Sequence, residues 1–137
     1  MSSIADMHNH NRKDVVEYYA KGKLRSHRTW TNGVEDAKYY YKNGKLEYQC
    51  KKIDGRIQGD SFWYYECGQL KEKRTYTDDD IQAIVGYHEN GHLAKEITYT
   101  DKIISSSVEY YENGQRKKRS TYRNKFDDLG VYHENGR

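Results

Sequence analysis

A short phrase recurs along this chain. It reads YYAKGKLR at 18–25, YYKNGKLE at 40–47, YYECGQLK at 64–71, YHENGHLA at 87–94 and YYENGQRK at 110–117. It closes on YHENGR at 132–137. The turn glycines are Gly22, Gly44, Gly68, Gly91, Gly114 and Gly136, spaced by 22, 24, 23, 23 and 22 residues. A period this regular means one small supersecondary unit copied and stacked on itself. That excludes a globular core assembled from unlike elements. Catalysis needs different groups to converge, whereas repeats present like groups at intervals. No phosphate loop, serine elbow or Cys–His pair is written in the chain. A non-enzymatic protein with no cofactor is the expectation.

The unit reads as a β-hairpin. An aromatic pair leads into a Glu/Lys-Asn-Gly turn, and about nine residues later a second polar turn sends the chain back: TNG at 31–33, IDG at 53–55, TDDD at 77–80, TDK at 100–102 and RNK at 123–125. Asn-Gly between β-favouring runs is a strong hairpin signal, no helical period is sustained, and the chain has no Pro. The expected fold is all-β: an elongated antiparallel meander of five to six 23-residue hairpins, about eleven short strands, in a single-layer twisted sheet. Residues 1–13 read as a polar mobile tail and 14–137 as the repeat domain, with the last repeat incomplete.

The register follows from where the apolar residues go. A plain two-residue loop at Asn-Gly scatters them over both faces. A type I turn ending in a left-handed Gly, with its bulge, sets Tyr18, Tyr40, Tyr64 and Tyr87 opposite Leu24, Leu46, Leu70 and Leu93. Slipping by one residue flips every side chain, so the register that gathers the apolar positions is favoured. Strict alternation then adds Val16, Phe62, Val85 and Val108 to this first face, together with Trp30, Tyr76, Tyr99 and Tyr122. It gives the turn glycines of the repeated phrase a stronger need for left-handed backbone than Gly33. The second face carries Tyr19, Tyr41, Tyr65, His88, Tyr111 and His133, with Tyr39 and Trp63 two residues upstream of two of them. Tyr offers contact area at low entropic cost, so this ladder is the candidate binding surface.

Composition says what such a sheet can be made of. Leu, Ile, Val and Phe total only 21 of 137 residues, a level that alone points to disorder. The net charge is only +3, however, and 15 Tyr and 2 Trp supply apolar area with a polar handle. The core is therefore expected to be thin and aromatic. The N-terminal MSSIADMHNHNRKD has no apolar segment of the secretory kind, and no run reaches membrane-spanning length. With Cys50 and Cys67 read as incidental free thiols, a cytoplasmic location is the expectation.

The unit resembles the MORN repeat, in the variant form found in many bacterial and some large-virus proteins. The best copy is IDGRIQGDSFWYYECGQLKEKRTY at 53–76. Segments 39–47, 86–94 and 109–117 repeat the Tyr-Tyr/His-Glu/Lys-Asn-Gly core, while after residue 77 the Asp-Gly turns give way to DDDI, DKII and NKFD, and Arg116 stands where Leu does elsewhere. The resemblance implies an elongated β-meander that holds partners. It implies protein–protein interaction or scaffolding first, then an antitoxin-like neutraliser of a specific protein, then a peripheral binder of anionic lipid.

The remaining chemistry is sparse. His8 and His10 in the tail, and His88, His92 and His133 near turns, make no metal site by spacing. TDDD lacks the spacing of a calcium loop. The most basic stretch is Arg116, Lys117, Lys118 and Arg119, followed by Arg123 and Lys125. Alternation along a strand puts Arg116 and Lys118 on one face and Lys117 and Arg119 on the other. An anionic membrane surface is therefore a secondary partner and nucleic acid is not expected; the protein partner is left unnamed by the sequence.

Overall fold

The computed structural model describes residues 12–122 and the backbone of 134–135. The strands are β1 (Arg12–Tyr18), β2 (Leu24–Thr31), β3 (Val34–Tyr40), β4 (Leu46–Ile53), β5 (Arg56–Ile57), β6 (Gly59–Tyr64), β7 (Leu70–Thr77), β8 (Asp80–Tyr87), β9 (Leu93–Thr100), β10 (Ile103–Tyr110), β11 (Arg116–Tyr122) and β12 (Glu134–Asn135). They form one antiparallel sheet in chain order, with the short β5 attached to β4 before β6 takes over that edge. The meander is as expected, although β1 begins inside the stretch assigned to the tail.

Two kinds of turn alternate. At the repeated phrase, the Gly N–H donates to the carbonyl of the residue three before it, as Gly22 does to Tyr19 and Gly44 to Tyr41, each at 2.9 Å. The chain then closes with Tyr19 N–H on the Lys23 carbonyl at 2.7 Å, and likewise Tyr41 on Lys45 at 2.8 Å. These glycines hold φ near +90°, where a Cβ is strained. The expected pairs Tyr18↔Leu24, Tyr40↔Leu46, Tyr64↔Leu70 and Tyr87↔Leu93 all form. At the far end, Asn32-Gly33, Asp54-Gly55, Asp78-Asp79 and Asp101-Lys102 are two-residue loops with φ positive at both residues. Gly33 sits at φ +82, so the expectation that it is less constrained than Gly68 or Gly91 is not met.

One feature breaks the alternation. Tyr18 faces Leu24, but Glu17 faces Ser26, so Arg25 is an extra residue on β2. Glu47, Lys71, Ala94 and Lys117 are the equivalent extra residues in the other copies. This second bulge in every hairpin reverses the phase of the rest of the strand. Trp30, Tyr76 and Tyr99 therefore lie on the second face, opposite Lys13, Gly59 and Ile104, and not beside Tyr18 and Val16 as strict alternation had them. The side chain of Tyr122 lies outside the described residues. The same bulge corrects the basic strand. Arg116 and Arg119 pair with Tyr110 and Val108 on the first face, and Lys118 pairs with Glu109 on the second.

The bulges also account for the uneven spacing of the repeats. From each turn glycine to the start of the next loop is constant: Gly22 to Thr31, Gly44 to Ile53, Gly68 to Thr77, Gly91 to Thr100. The returning strand absorbs the variation. β3 pairs with β2 without interruption from Val34 to Tyr39. β8 carries one extra residue, Gln82, and β10 one, Ser105. Between β5 and β6 the pairing moves from Lys52↔Ile57 to Gln49↔Phe62, two residues out of step, with Gly59 at φ +83. Spacings of 22, 24, 23 and 23 are thus zero, two, one and one bulged residues.

The buried side chains all lie on the second face: Ser26, Ala37, Cys50, Ser61, Ile84 and Ser120. Ala37 faces Cys50 across β3 and β4, and Arg74 faces both Ser61 and Ile84 across β6 to β8. Bulges bend the strands that carry them. Full burial of residues as small as Ser26 and Ser61 in a one-layer sheet makes the second face the inner side of that bend. Five of these six are small, as a floor with little room requires.

Candidate binding face

Each of the first four hairpins is tied to the next by one aromatic side chain. The Tyr19 hydroxyl donates to the Tyr40 carbonyl at 2.5 Å, Tyr41 to that of Tyr64, and Tyr65 to that of Tyr87 at 2.7 Å. His88 takes the same place, its Nε2 lying 2.9 Å from the Tyr110 carbonyl and donating to it. Burial, with Glu47 beside Tyr41 and Glu89 beside Tyr65 adding to it, pushes both phenols above their ordinary value and keeps them protonated donors. Lys42 lies over the Tyr19 ring, Lys71 over Tyr65 and Lys117 over Tyr111, at 5.5–5.8 Å. In four of the ladder residues read from the sequence, then, the polar group is engaged within the sheet. Tyr111 keeps an exposed ring. His133 and Arg123 lie outside the described residues.

A second set of rungs runs through the turns. Asn43 accepts from Lys45 N–H and donates to the Glu66 carbonyl, both at 2.9 Å. Asn90 does the same with His92 and Glu112. Cys67 stands in the Asn position of the third copy and is exposed, so that rung is not made. His92 approaches the Glu112 carbonyl at 2.6 Å through Nδ1, which occupies it in the turn ladder. Among the described residues no three His, Cys, Asp or Glu side chains gather to hold a metal.

What the fold does bring together is a row inside the bend. Tyr39 faces Tyr48 across β3 and β4, and Tyr48 faces Trp63 across β4 and β6. Their ring centroids are 5.8 and 4.4 Å apart. Arg74 covers the far side of Trp63 at 4.8 Å, and Glu72 takes Arg74 at 2.5 Å and Lys95 at 3.0 Å. All three rings are half-buried. Burial raises the Tyr48 phenol strongly, so it stays neutral. Burial also works against the Glu72 charge, but hydrogen bonds from Lys95 and Arg74 outweigh it and hold the carboxyl below its ordinary value. At one end of the face, Trp30 is flanked by Lys13 at 5.4 Å and Arg28 at 5.2 Å.

Tyr39 and Trp63 were legible as members of this face. Tyr48, Trp30 and Tyr76 were not, because the bulge that turns them inward falls at residues of no particular type: Arg25, Glu47 and Lys71.

The match to a family of repeats agrees with this architecture. The MORN repeat variant family matches at residues 36–51, 57–78, 85–101 and 106–124, more than half of the chain. The chain belongs to the MORN repeat variant family. MORN repeats are in general protein- and lipid-interaction modules. No curated protein matches the chain. Among solved structures, the crystal structure of TarM is 11% identical over 76% of this chain, with a TM-score of 0.46. A mutant of S. aureus TarM in complex with Fondaparinux, alpha-GlcNAc-glycerol and UDP is 12% identical over 86%, with a TM-score of 0.31. The chain spans 24% of each of those longer chains. Among the described residues no helix is long and apolar enough to cross a membrane.

Proposed function

We propose that this MORN repeat protein is a non-enzymatic interaction module that holds a protein partner along the inner face of its sheet. The supporting observation is the row Tyr39–Tyr48–Trp63. Three large rings in mutual contact remain half-open, although a one-layer sheet has the strongest reason to cover them. Aromatic residues beside Arg are the side chains that most often dominate protein interfaces, and Arg74 and Lys95 supply a charged rim to this row. The polar groups of Tyr19, Tyr41, Tyr65 and His88 are committed to the ladder, so the partner contact falls on the inner row, with the exposed Tyr111 ring beyond it.

The test is capture of interacting proteins from the native host by the full chain, in parallel with Tyr39→Ser and Tyr48→Ser and a control change at Lys38, exposed on the first face. The expected result is one stoichiometric partner, kept by the control and lost by inner-row variants that are still folded at the assay temperature. A partner retained by folded inner-row variants removes this face from the reading.

A further inference from the structure

Two arginines hold the same place in different copies of the repeat. Arg28 follows Leu24 by four residues and Arg74 follows Leu70 by four, and both lie on the inner face, opposite Ala37 and Ser61. Each guanidinium lies over a Trp ring, Arg28 over Trp30 at 5.2 Å and Arg74 over Trp63 at 4.8 Å. They differ in how the charge is balanced. Arg74 gives its Nε hydrogen to Glu72, two residues before it. The residue two before Arg28 is Ser26, whose hydroxyl donates to Glu17 at 2.8 Å. Among the described residues Arg28 forms no ion pair, and its Nε is buried without a hydrogen-bond partner. Lys13, over the same Trp30 ring at 5.4 Å, is likewise unpaired, and Glu35, which faces Trp30 from β3, forms an ion pair with neither cation. The first copy therefore has the cations of the third without its acid. A guanidinium lying over a ring keeps in-plane N–H groups for a carboxylate, which it takes in a forked geometry. The wider charge distribution points the same way. Residues 12–45 hold nine Lys or Arg against four Asp or Glu, whereas residues 46–122 hold twelve against thirteen. The cationic excess thus belongs to the first three strands and their turns, where it draws an anionic group toward Arg28.

From this charge complementarity we infer that the partner held on the inner face presents an acidic extended segment, with a carboxylate on Arg28 and Lys13 beside Trp30 and an apolar side chain on the Tyr39–Tyr48 pair. This rests on the inner-face proposal and names the chemistry that the face takes. From β2 to β4 is two strand spacings, about 10 Å, which an extended segment crosses in about three residues. The bend favours a polypeptide over a bilayer. Arg28 is half-buried in the middle row of the inner side, where a single extended segment can enter and a flat anionic surface cannot follow.

The test is selection of displayed random linear peptides on the full chain, followed by titration of the enriched peptides after synthesis. The expected result is a shared Asp or Glu about three residues from an aromatic or aliphatic one, the spacing set by two strand separations. Changing that acid to its amide should weaken binding about tenfold, the scale of a hydrogen bond between charged groups. In Arg28→Gln the same change should alter almost nothing, because the group it faces is gone. Lys13→Gln, at an exposed position, should reduce the effect of the acid to a smaller degree, which keeps the test open if Arg28→Gln fails to fold. Peptides that need Tyr48 but carry no acid, or whose acid matters equally in folded Arg28→Gln, overturn the inference and leave the inner-face proposal standing. Peptides indifferent to both Tyr48→Ser and Arg28→Gln remove both. An absence of any enriched peptide overturns the inference, as does Arg28-dependent binding of phosphatidylserine vesicles in place of peptide.

Discussion

One row of positions crosses the whole sheet, and its two halves are built differently. From β2 to β6 it runs Ser26, Tyr39, Tyr48, Trp63, and from β7 onward Glu72, Gly86, Lys95, Glu109, Lys118. The first half is a stack of rings and the second a line of charges around a glycine. The backbone does not distinguish them: both halves have the same bulge after the turn, and rungs of the same kind. The hairpins are held by main-chain pairing and by rungs outside this row, so the row is free to vary. This freedom is what allows a repeat to be specific. The stack should contribute stability through burial, and the ionic half should contribute little, as exposed charge pairs do.

Four outcomes would break or sharpen that contrast. The largest effect is expected at Trp63. Trp63→Ala removes the contact with Tyr48 and the surface under Arg74, and at a half-buried site should cost about 2 kcal/mol in urea unfolding; Glu109→Ala in the other half should change almost nothing. Equal costs would mean that the two halves are energetically alike.

Gly86 comes next, and its sign depends on its neighbour. A Cβ built there would lie 2.9 Å from the Lys95 side chain, which crosses Gly86 to reach Glu72. Gly86→Ala should cost about 1 kcal/mol by displacing Lys95. With Lys95→Ala already present, the same change should become neutral or stabilising, since Gly is a poor strand residue. The Glu72 carboxyl, held below its ordinary value, adds stability that is fully present above the usual glutamate range and is lost as pH falls through its folded value. In the Lys95→Ala protein that loss should begin at higher pH, as followed by melting temperature.

The third test concerns the turn ladder that serves both halves. Cys67→Asn should supply the missing rung between the third and fourth hairpins and raise stability by about 0.5–1 kcal/mol, the net worth of a hydrogen bond. No gain would show that the Asn rungs at 43 and 90 are incidental. The smallest effect is at Lys102, a long side chain at φ +68 where Gly33 and Gly55 stand in the matching loops. Lys102→Gly should stabilise by a few tenths of a kcal/mol, relief of backbone strain being offset by a more flexible unfolded chain.

Much of this fold was legible because turn chemistry is local. Asn-Gly and Asp-Gly announced the hairpins, and the Tyr18↔Leu24 register followed from gathering the apolar residues. The inner row was less legible for a physical reason. The bulge at Arg25 and its equivalents carries Arg, Glu, Lys or Ala, residues that fit a regular strand as well as a bulged one, so nothing in the sequence marks the change of phase. Trp30, Tyr76 and Tyr99, which lie beyond it, were assigned to the wrong face by a rule that is correct for an unbroken strand. Tyr39 and Trp63 escaped because they precede the turn.

The constant outgoing strand and the variable returning strand have a consequence for how such a chain can change. A residue gained or lost between the far loop and the next aromatic pair is taken up as one more or one fewer bulge, and the following copy of the phrase arrives in phase. Between the turn glycine and the far loop there is no such slack. The hairpin therefore works like a slide rule with one fixed and one moving edge: length can be edited on one side of each repeat without disturbing any hairpin beyond it, so the lineage of such a protein is free to tinker with one strand in two.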